Sequence, residues 1–331
     1  MSIVWLHAVY GLPSAVERLG APYFGASGVD LFFVISGFIM VAITMRSDAT
    51  PGRFFCMRLI RIVPPYWLAT FVMIGLAASG LAPRHPYTTA EIATSLLFVP
   101  YAPAVPALPI LENGWTLNYE MFFYALFALW LAAPRHLRLI GLLLTLVVLV
   151  VLGRLAGPFA VPVATTYTSG LLLEFAAGAL LAWLWLRGGL RLGLVAALSL
   201  IALGCYGIAW THPRLVILAG AVLIVAGSLH PRICAVESPL LLELGNASYS
   251  LYLTHQFLID AVVPRWPRLF AQPSWLSTVL YMACILLLST VTAWLCYRFI
   301  ERPLTARLRK LVRGPAAAPG QSAAEPQPGQ G

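Results

Sequence analysis

The chain alternates long apolar segments with short polar and basic connections. The apolar segments lie near residues 2–11, 29–45, 66–82, 115–133, 139–157, 167–186, 192–211, 215–230, 239–263 and 274–299. A helix needs about 20 predominantly apolar residues to cross the hydrocarbon core of a bilayer. The pattern therefore predicts an all-α integral membrane protein, a polytopic bundle of about ten transmembrane helices.

Composition indicates that lipid, and not water, surrounds most of the chain. Of the 331 residues, 60% are hydrophobic and 10% are charged, whereas soluble domains carry about 25% charged residues. The first apolar segment is short because the chain opens on Met1 already inside it. It lacks the charged region and the cleavage site of a signal peptide, so we expect a start site further upstream.

Basic residues concentrate at one set of predicted helix ends. With the N-terminus inside, fifteen of the 21 Lys and Arg residues lie at inner ends and six at outer ends. Positive charge marks the cytoplasmic side, so both termini are predicted to be cytoplasmic. We expect a transmembrane domain over 1–310, followed by a disordered cytoplasmic tail over 311–331, which is rich in Pro, Gly, Gln and Ala.

The net charge of +9 comes from these helix flanks, so no nucleic-acid partner is predicted. The basic stretch 298–313 is expected to contact anionic membrane lipids. The five cysteines show no paired spacing, and no metal-ligand motif or glycine-rich nucleotide fingerprint is present. The chain therefore predicts free thiols and no metal.

Ionisable side chains inside the apolar segments are the main functional signal. A charge at the centre of a transmembrane helix costs about 2.5–3.5 kcal/mol on insertion scales, so such residues usually face a bundle interior or a wet cavity. The embedded carboxylates are Asp30, Glu120, Glu174, Glu243 and Asp260, and the embedded histidines are His7 and His255.

The predicted depths of the polar residues place proton-accepting groups in the outer half of the bundle and phosphate-binding groups at its inner rim. His7, Asp30 and Glu120 are expected in the outer half, where an imidazole and carboxylates can take a proton from a hydroxyl. At the inner rim, Arg58 and Arg61 lie three residues apart on one helical face, ahead of a double proline. The guanidinium fork suits phosphate. The chemistry fits acyl transfer from a phosphate-bearing cytoplasmic donor.

Five sequence blocks, in order, resemble the acyltransferase-3 family, which includes O-antigen acetylases and exopolysaccharide-production acyltransferases. The blocks are GVDLFFVISGFIM (28–40), RLIRIVPPYW (58–67), NGWTLNYEMFFY (113–124), LGNASYSLYLTHQFLI (244–259) and YRFIERPLT (297–305). The resemblance implies a ten-helix protein of the bacterial inner (cytoplasmic) membrane. It also implies transfer of an acyl group, usually acetyl, from cytoplasmic acyl-CoA to a sugar hydroxyl of an exported glycan or its lipid-linked precursor.

The resemblance also assigns roles to residues. It makes His7 the catalytic base and Arg58 and Arg61 the RxxR motif that handles the donor. Further matches, beyond these three, are Glu120 after the WTL block, His255 in the SYSLYLTH block, and Glu301 and Arg302 in the closing E-[RK]-P. The family usually has a basic residue about ten positions before the first-helix histidine, and His7 has only six residues ahead of it.

Other interpretations stay open for each residue. His7 and His255 are also compatible with hydrogen bonds between core helices, and Asp30 with a polar group at a helix start. Arg58 and Arg61 are also compatible with ordinary positive-inside anchors. Ser36 and Ser248 are the nearby hydroxyls for an acyl-enzyme, if transfer is not direct.

A different class of protein competes with the transferase. Buried histidines and carboxylates also serve proton relays, so a glycolipid flippase or a proton-coupled exporter is the alternative. A transporter would move its substrate without changing the substrate's mass and would need no acyl-CoA. Polysaccharide-assembly proteins are possible partners of either class.

Overall fold

A computed structural model describes residues 2–11, 25, 27–44, 49–80, 87–101, 108–210, 213–235, 238–266 and 274–313. Within these ranges all regular secondary structure is helical. The helices, numbered in chain order, are α1 (Ser2–Gly11), α2 (Gly28–Thr44), α3 (Pro51–Ala78), α4 (Thr89–Leu96), α5 (Trp115–Leu131), α6 (Arg135–Ala156), α7 (Pro162–Tyr167), α8 (Leu172–Leu186), α9 (Leu194–Trp210), α10 (Arg214–Ser228), α11 (Pro231–Cys234), α12 (Pro239–Asn246), α13 (Ser248–Val262), α14 (Trp275–Cys296) and α15 (Arg302–Arg313).

The predicted all-α character is confirmed for the described residues, and the predicted apolar segments are largely helical there. Four stretches are long and apolar enough to cross a bilayer, namely Pro51–Ala78, Arg135–Ala156, Pro162–Leu186 and Trp275–Val312. The shorter apolar helices are Gly28–Thr44, Leu194–Ala209 and Arg214–Ser228. The count of ten spans and the cytoplasmic placement of both termini stay predictions.

Helix α3 starts much earlier than its apolar pattern indicates. The apolar stretch begins near residue 66, but the helix begins at Pro51 and includes Pro64 and Pro65 in its interior. Pro51 suits the first helical turn, because the backbone N–H groups of that turn have no intrahelical partner. Arg58 and Arg61, predicted on one helical face, therefore lie on the first half of a continuous 28-residue helix.

The last apolar helix also extends further than predicted. Helix α14 passes through a π-helical turn at Tyr297–Glu301 directly into α15. Such π-turns are rare and often mark functional positions. The turn places Glu301 inward, where its side chain is buried. The residues from 314 onward, where most of the predicted disordered tail falls, lie outside the described residues.

Helices α2 and α8 pack with their backbones in close contact. A Cβ atom added to Gly178 would lie 1.9 Å from the Val34 carbonyl oxygen, and one added to Gly37 would lie 2.1 Å from the Phe175 carbonyl oxygen. Small residues permit this approach between membrane helices. Next to this contact, Phe175 stacks on Phe33 at 4.5 Å and on Phe123 of α5 at 4.4 Å between ring centroids. This packing sets the frame on which the polar residues are held.

Candidate functional site

The side chains of His7 on α1 and His255 on α13 are in direct polar contact. The Nδ1 atom of His7 lies 3.0 Å from the Nε2 atom of His255, and the rings stack with centroids 5.1 Å apart. His255 is 0% exposed, whereas the His7 side chain is partly exposed. Of the two rings, only His7 therefore has surface that another molecule can contact.

The His7 ring faces a small acidic environment. Glu112 and Asp260 are the carboxylates whose charges act on it, and the Gln256 side chain lies within hydrogen-bonding reach of it. The Gln256 amide nitrogen donates to Asp260 at 2.8 Å, so the amide oxygen remains available as an acceptor. The sequence singles out Asp260 as an embedded carboxylate without a role at the site, and it does not single out Gln256. Glu112 comes from a separate segment, and no local signal placed it here.

The segment that leads into α5 is hydrogen-bonded to α13 beside the His7–His255 pair. The Asn113 amide nitrogen donates a short hydrogen bond to the Tyr252 carbonyl oxygen. The hydroxyls of Thr116 and Tyr252 are 2.6 Å apart, and the Tyr252 ring centroid lies 6.4 Å from that of His255. These contacts hold the segment that carries Glu112 against the helix that carries His255.

Glu120 belongs to a different network from His7. Its carboxylate accepts hydrogen bonds from the Ser36 hydroxyl at 3.3 Å and from the Tyr124 hydroxyl. The positive charges that act on it are Arg58 and Arg61. The sequence suggests that Glu120 joins His7 in the outer half, but its hydrogen bonds are with Ser36 and Tyr124 and the positive charges that act on it are those of α3.

The second concentration of polar groups is an arginine site formed by Arg58, Arg61 and Arg309 with Glu120 and Glu301. The charges of Arg61 and Arg309 both act on Arg58 and on Glu301. The Nε atoms of Arg58 and Arg309 are buried and have no hydrogen-bond partner within the described residues. Three guanidinium groups face two carboxylates, so the site retains positive charge for an anion.

The walls of the arginine site are aromatic and hydroxyl-bearing side chains. The Arg58 guanidinium carbon lies 5.5 Å from the Phe54 ring centroid and 5.8 Å from that of Tyr124. The Ser250 hydroxyl donates to the Glu301 carboxylate at 2.6 Å. Stacking on aromatic faces and hydrogen bonds to the neighbouring carboxylate orient groups that would otherwise be mobile.

Two predicted site residues stand elsewhere. Arg302 is exposed, and Arg309, two turns further along α15, is the residue whose charge reaches Arg58 and Glu301. Ser248 is also exposed, and the buried serine of this helix start is Ser250. The sequence pattern missed Arg309 because the closing E-[RK]-P motif ends at Pro303, six residues before it.

Asp30 forms a third network, with two residues that the sequence did not assign to a site. Arg214 Nη2 lies 3.3 Å from Glu174 Oε1 and 3.8 Å from Asp30 Oδ1. These side chains belong to α10, α8 and α2, so the group ties three helices together. The predicted outer cluster of His7, Asp30 and Glu120 is therefore distributed over three separate sets of contacts, and the catalytic role of each residue stays a prediction.

One helix connects the histidine pair to the arginine site. Helix α13 presents Ser250 to Glu301 and His255 to His7, and five residues span about 7.5 Å along a helix axis. On the same helix, the rings of Tyr249 and Tyr252 stack at 13° with centroids 6.4 Å apart. The site can therefore bind an anion at one end and accept a proton at the other, a short distance apart.

The five cysteines are all free. Within the part of the chain that the structure describes, no three His, Cys, Asp or Glu side chains are grouped as metal ligands.

A helical membrane protein with a partly exposed imidazole and a nearby guanidinium cluster has the groups required for transfer of an acyl group from an anionic donor. Residues 1–298 match the acyltransferase-domain family known as acyltransferase-3. The chain belongs to this family and is a multi-pass membrane acyltransferase.

Two curated relatives are similar to this chain. The exopolysaccharide production protein ExoZ of Rhizobium meliloti (strain 1021) is 39% identical over 305 residues, which cover 89% of this chain and 94% of that protein. The putative membrane-bound transacylase BcsY of Komagataeibacter xylinus is 32% identical over 135 residues, or 35% of this chain and 34% of that protein. No solved structure gave a significant match.

Proposed function

We propose that the protein is a membrane-bound O-acyltransferase of exopolysaccharide production. It transfers an acyl group, acetyl in the simplest case, from cytoplasmic acyl-CoA to a hydroxyl of the glycan or of its lipid-linked precursor. The similarity to the exopolysaccharide production protein ExoZ supports the acceptor class. The protein acts in the bacterial inner membrane, where acyl-CoA is available on one side and the growing glycan is exported on the other.

The observation that carries this proposal is the position of His7. Its ring is hydrogen-bonded to a buried histidine on one side and is partly exposed on the other. An imidazole in this position can take a proton from a hydroxyl. Its partner His255 lies on the helix that also reaches the arginine site.

In the proposed reaction the arginine site binds the phosphates of the donor. Arg58, Arg61 and Arg309 supply the positive charge, because guanidinium groups bind phosphate in bidentate fashion. The pantetheine arm then extends along α13 and brings the thioester towards His7. Phosphate binding at one end of the site thus positions the reacting carbonyl at the other end, which reduces the entropic cost of transfer.

The chemical step needs one base and no metal. His7 accepts the proton of the acceptor hydroxyl while the hydroxyl oxygen attacks the thioester carbonyl carbon. A C–O bond forms and the C–S bond breaks. The thiolate of CoA leaves and takes up the proton from the His7 imidazolium. The nearby charges of Glu112 and Asp260 stabilise that imidazolium.

The decisive experiment is mass spectrometry of purified surface polysaccharide from cells with the wild-type gene, no copy, or His7→Ala. The control is His230→Asn, which also removes an imidazole but keeps a side chain able to cap the following helix. We expect the acyl-sized mass to disappear in the deletion and in His7→Ala at equal protein level, and to persist in the control. Glycan that keeps every acyl group but fails to reach the surface would instead identify a transporter.

Direct transfer has its own test, because Ser36 is a buried hydroxyl in contact with a carboxylate. The variant Ser36→Ala should retain acylation if the acyl group passes directly to the acceptor. Loss of acylation, with a trapped acyl group on Ser36 in intact-protein mass spectrometry of the wild type, would establish an acyl-enzyme.

A further inference from the structure

The hydrogen bonds of the histidine pair determine which ring nitrogens carry protons. His255 Nδ1 lies 3.0 Å from the backbone carbonyl oxygen of Leu251. A carbonyl oxygen can only accept, so His255 Nδ1 must carry the hydrogen. This bond is local to α13, between a residue and the one four positions before it, and so it persists whatever His7 does.

The second nitrogen of His255 then acts as an acceptor. The ring is completely buried, and burial without an opposite charge in contact favours the neutral imidazole. A neutral imidazole that carries its hydrogen on Nδ1 presents a lone pair on Nε2. In the 3.0 Å contact between the two histidines, His7 Nδ1 must therefore be the donor, which leaves Nε2 of the neutral His7 ring without a proton.

We propose that His255 is a positioning residue that holds His7 in the Nδ1–H tautomer and so makes His7 Nε2 the basic atom of the site. This inference rests on the proposed function and assigns His255 a role within it. When His7 Nε2 takes the proton of the acceptor hydroxyl, the imidazolium keeps its Nδ1–H bond to His255 Nε2. The Gln256 amide oxygen and the Asp260 carboxylate then face the new positive charge.

Two substitutions separate this role from simple packing. Glutamine at position 255 retains both a donor for the Leu251 carbonyl and an acceptor for His7 Nδ1–H, whereas phenylalanine fills the space but offers neither. We expect His255→Gln to retain acyl transfer within about tenfold of wild type, and His255→Phe to lose about 100-fold or more in kcat, the usual range for a general base. The KM for acyl-CoA should stay unchanged in both, because neither residue touches the arginine site.

The tautomer itself is measured without any acyl transfer. Solid-state NMR of protein with ¹⁵N-labelled histidine in lipid bilayers distinguishes a protonated from an unprotonated ring nitrogen, and the spectrum of His7→Gln assigns the His7 signals. We expect an unprotonated Nε2 on His7 in wild type and in His255→Gln, and mixed tautomers in His255→Phe.

A protonated Nε2 on wild-type His7, or an activity order in which His255→Phe exceeds His255→Gln, would overturn the inference. If the glycan proved never to be acylated while His7 showed the expected tautomer, the proposed function would fail and the positioning role of His255 would stand. The NMR result therefore separates the two claims.

An independent observation concerns an apolar cavity of about 690 Å³ between α2, α5, α6 and α8. Its walls are mainly aliphatic and aromatic, and Arg135, Arg138 and Arg187 lie at its rim, with no carboxylate among the described residues that line it. Ile140, one of the lining residues, is 56% exposed on the outer face of α6. The cavity is thus continuous with the lipid-facing surface and positive at one end.

We infer that this cavity binds an anionic phospholipid of the cytoplasmic leaflet, the side to which the three arginines are assigned by the positive-inside rule. The apolar walls match acyl chains, and the arginines match the phosphate and the net negative charge of the headgroup. A nucleotide such as the adenosine end of acyl-CoA shares the phosphate chemistry but would leave the apolar wall around Leu142 and Leu180 without a partner.

The test is native mass spectrometry of protein reconstituted in vesicles of phosphatidylglycerol and phosphatidylcholine. We expect wild type to retain phosphatidylglycerol and the triple variant Arg135→Gln, Arg138→Gln, Arg187→Gln to bind it on the order of 100-fold more weakly, at about fivefold for each charge.

The matched control replaces Arg191, Arg232 and Arg307, three exposed arginines, by Gln. Equal retention of phosphatidylglycerol by the triple variant would refute a lipid site. Displacement of the lipid from wild type by acyl-CoA would instead make the cavity a part of the donor site.

Discussion

Removing the Arg309 guanidinium should weaken donor binding while leaving the base untouched. Arg309 lies on α15, and its Nε is buried with no hydrogen-bond partner in the described part of the chain. Its charge acts on Arg58 and Glu301. A buried guanidinium N–H that lacks a partner beside another arginine is unfavourable unless an anion accepts from it, so we expect a donor phosphate to contact Arg309.

The size of the effect follows from the groups that remain. In Arg309→Ala the two other guanidinium groups still face the carboxylates of Glu120 and Glu301, so the excess positive charge of the site is lost. A hydrogen bond to a charged group contributes about 1.5–3 kcal/mol, and 1.4 kcal/mol corresponds to a tenfold change in affinity. We therefore expect acyl-CoA to bind about 10- to 140-fold more weakly.

The assay is equilibrium binding of radiolabelled acetyl-CoA to purified protein in lipid nanodiscs. Arg307→Ala is the matched control, because Arg307 is exposed and two residues apart on a helix point to different faces. Size-exclusion profiles and melting temperatures of both variants verify the fold. Equal affinities for Arg309→Ala, Arg307→Ala and wild type would refute the assignment of Arg309 to the donor site.

Three further predictions concern the frame of the site, and each is measured as thermal stability in detergent or lipid. Gly178→Ala should destabilise markedly, because its Cβ would overlap the backbone of the opposite helix. Ser250→Ala should cost about 1–3 kcal/mol, because the buried Glu301 carboxylate loses a donor, whereas Ser248→Ala, at an exposed position, should be neutral. Arg214→Met should destabilise by less than the about 3–5 kcal/mol of a fully buried pair, because Glu174 and Asp30 lose their cation but the Arg214 side chain is half exposed. Wild-type melting temperatures in these variants would contradict the corresponding contacts.

The three-network arrangement changes how the embedded carboxylates are understood. Asp30 and Glu120 each lie in a network that contains arginine, which accounts for their presence in apolar helices, and their catalytic roles stay predictions. The charge of Asp260, an embedded carboxylate to which the sequence assigned no role at a site, acts on His7. The carboxylates whose charges act on His7, Glu112 and Asp260, therefore differ from Asp30 and Glu120, which the predicted depth placed beside it.

Helix boundaries show where a hydrophobic pattern stops being informative. The pattern located the apolar part of α3 but missed its first fifteen residues, because that part of the helix carries arginines and is held by packing against α15 and α13. The same limit applies at Glu301, where the apolar run ends but the helix continues. Tertiary contacts, and not local hydrophobicity, keep these polar turns helical.

The amino-acid sequence by itself determined the class of protein, because apolar length and embedded charge depend on the bilayer and need no knowledge of neighbours. It also determined that His7, His255, Arg58 and Arg61 stand out. Only the tertiary structure decided which of them meet. The His7–His255 contact joins residues 248 positions apart, and the Ser250–Glu301 contact joins residues 51 apart. Such pairs depend on how helices are arranged around one another, which no local pattern encodes.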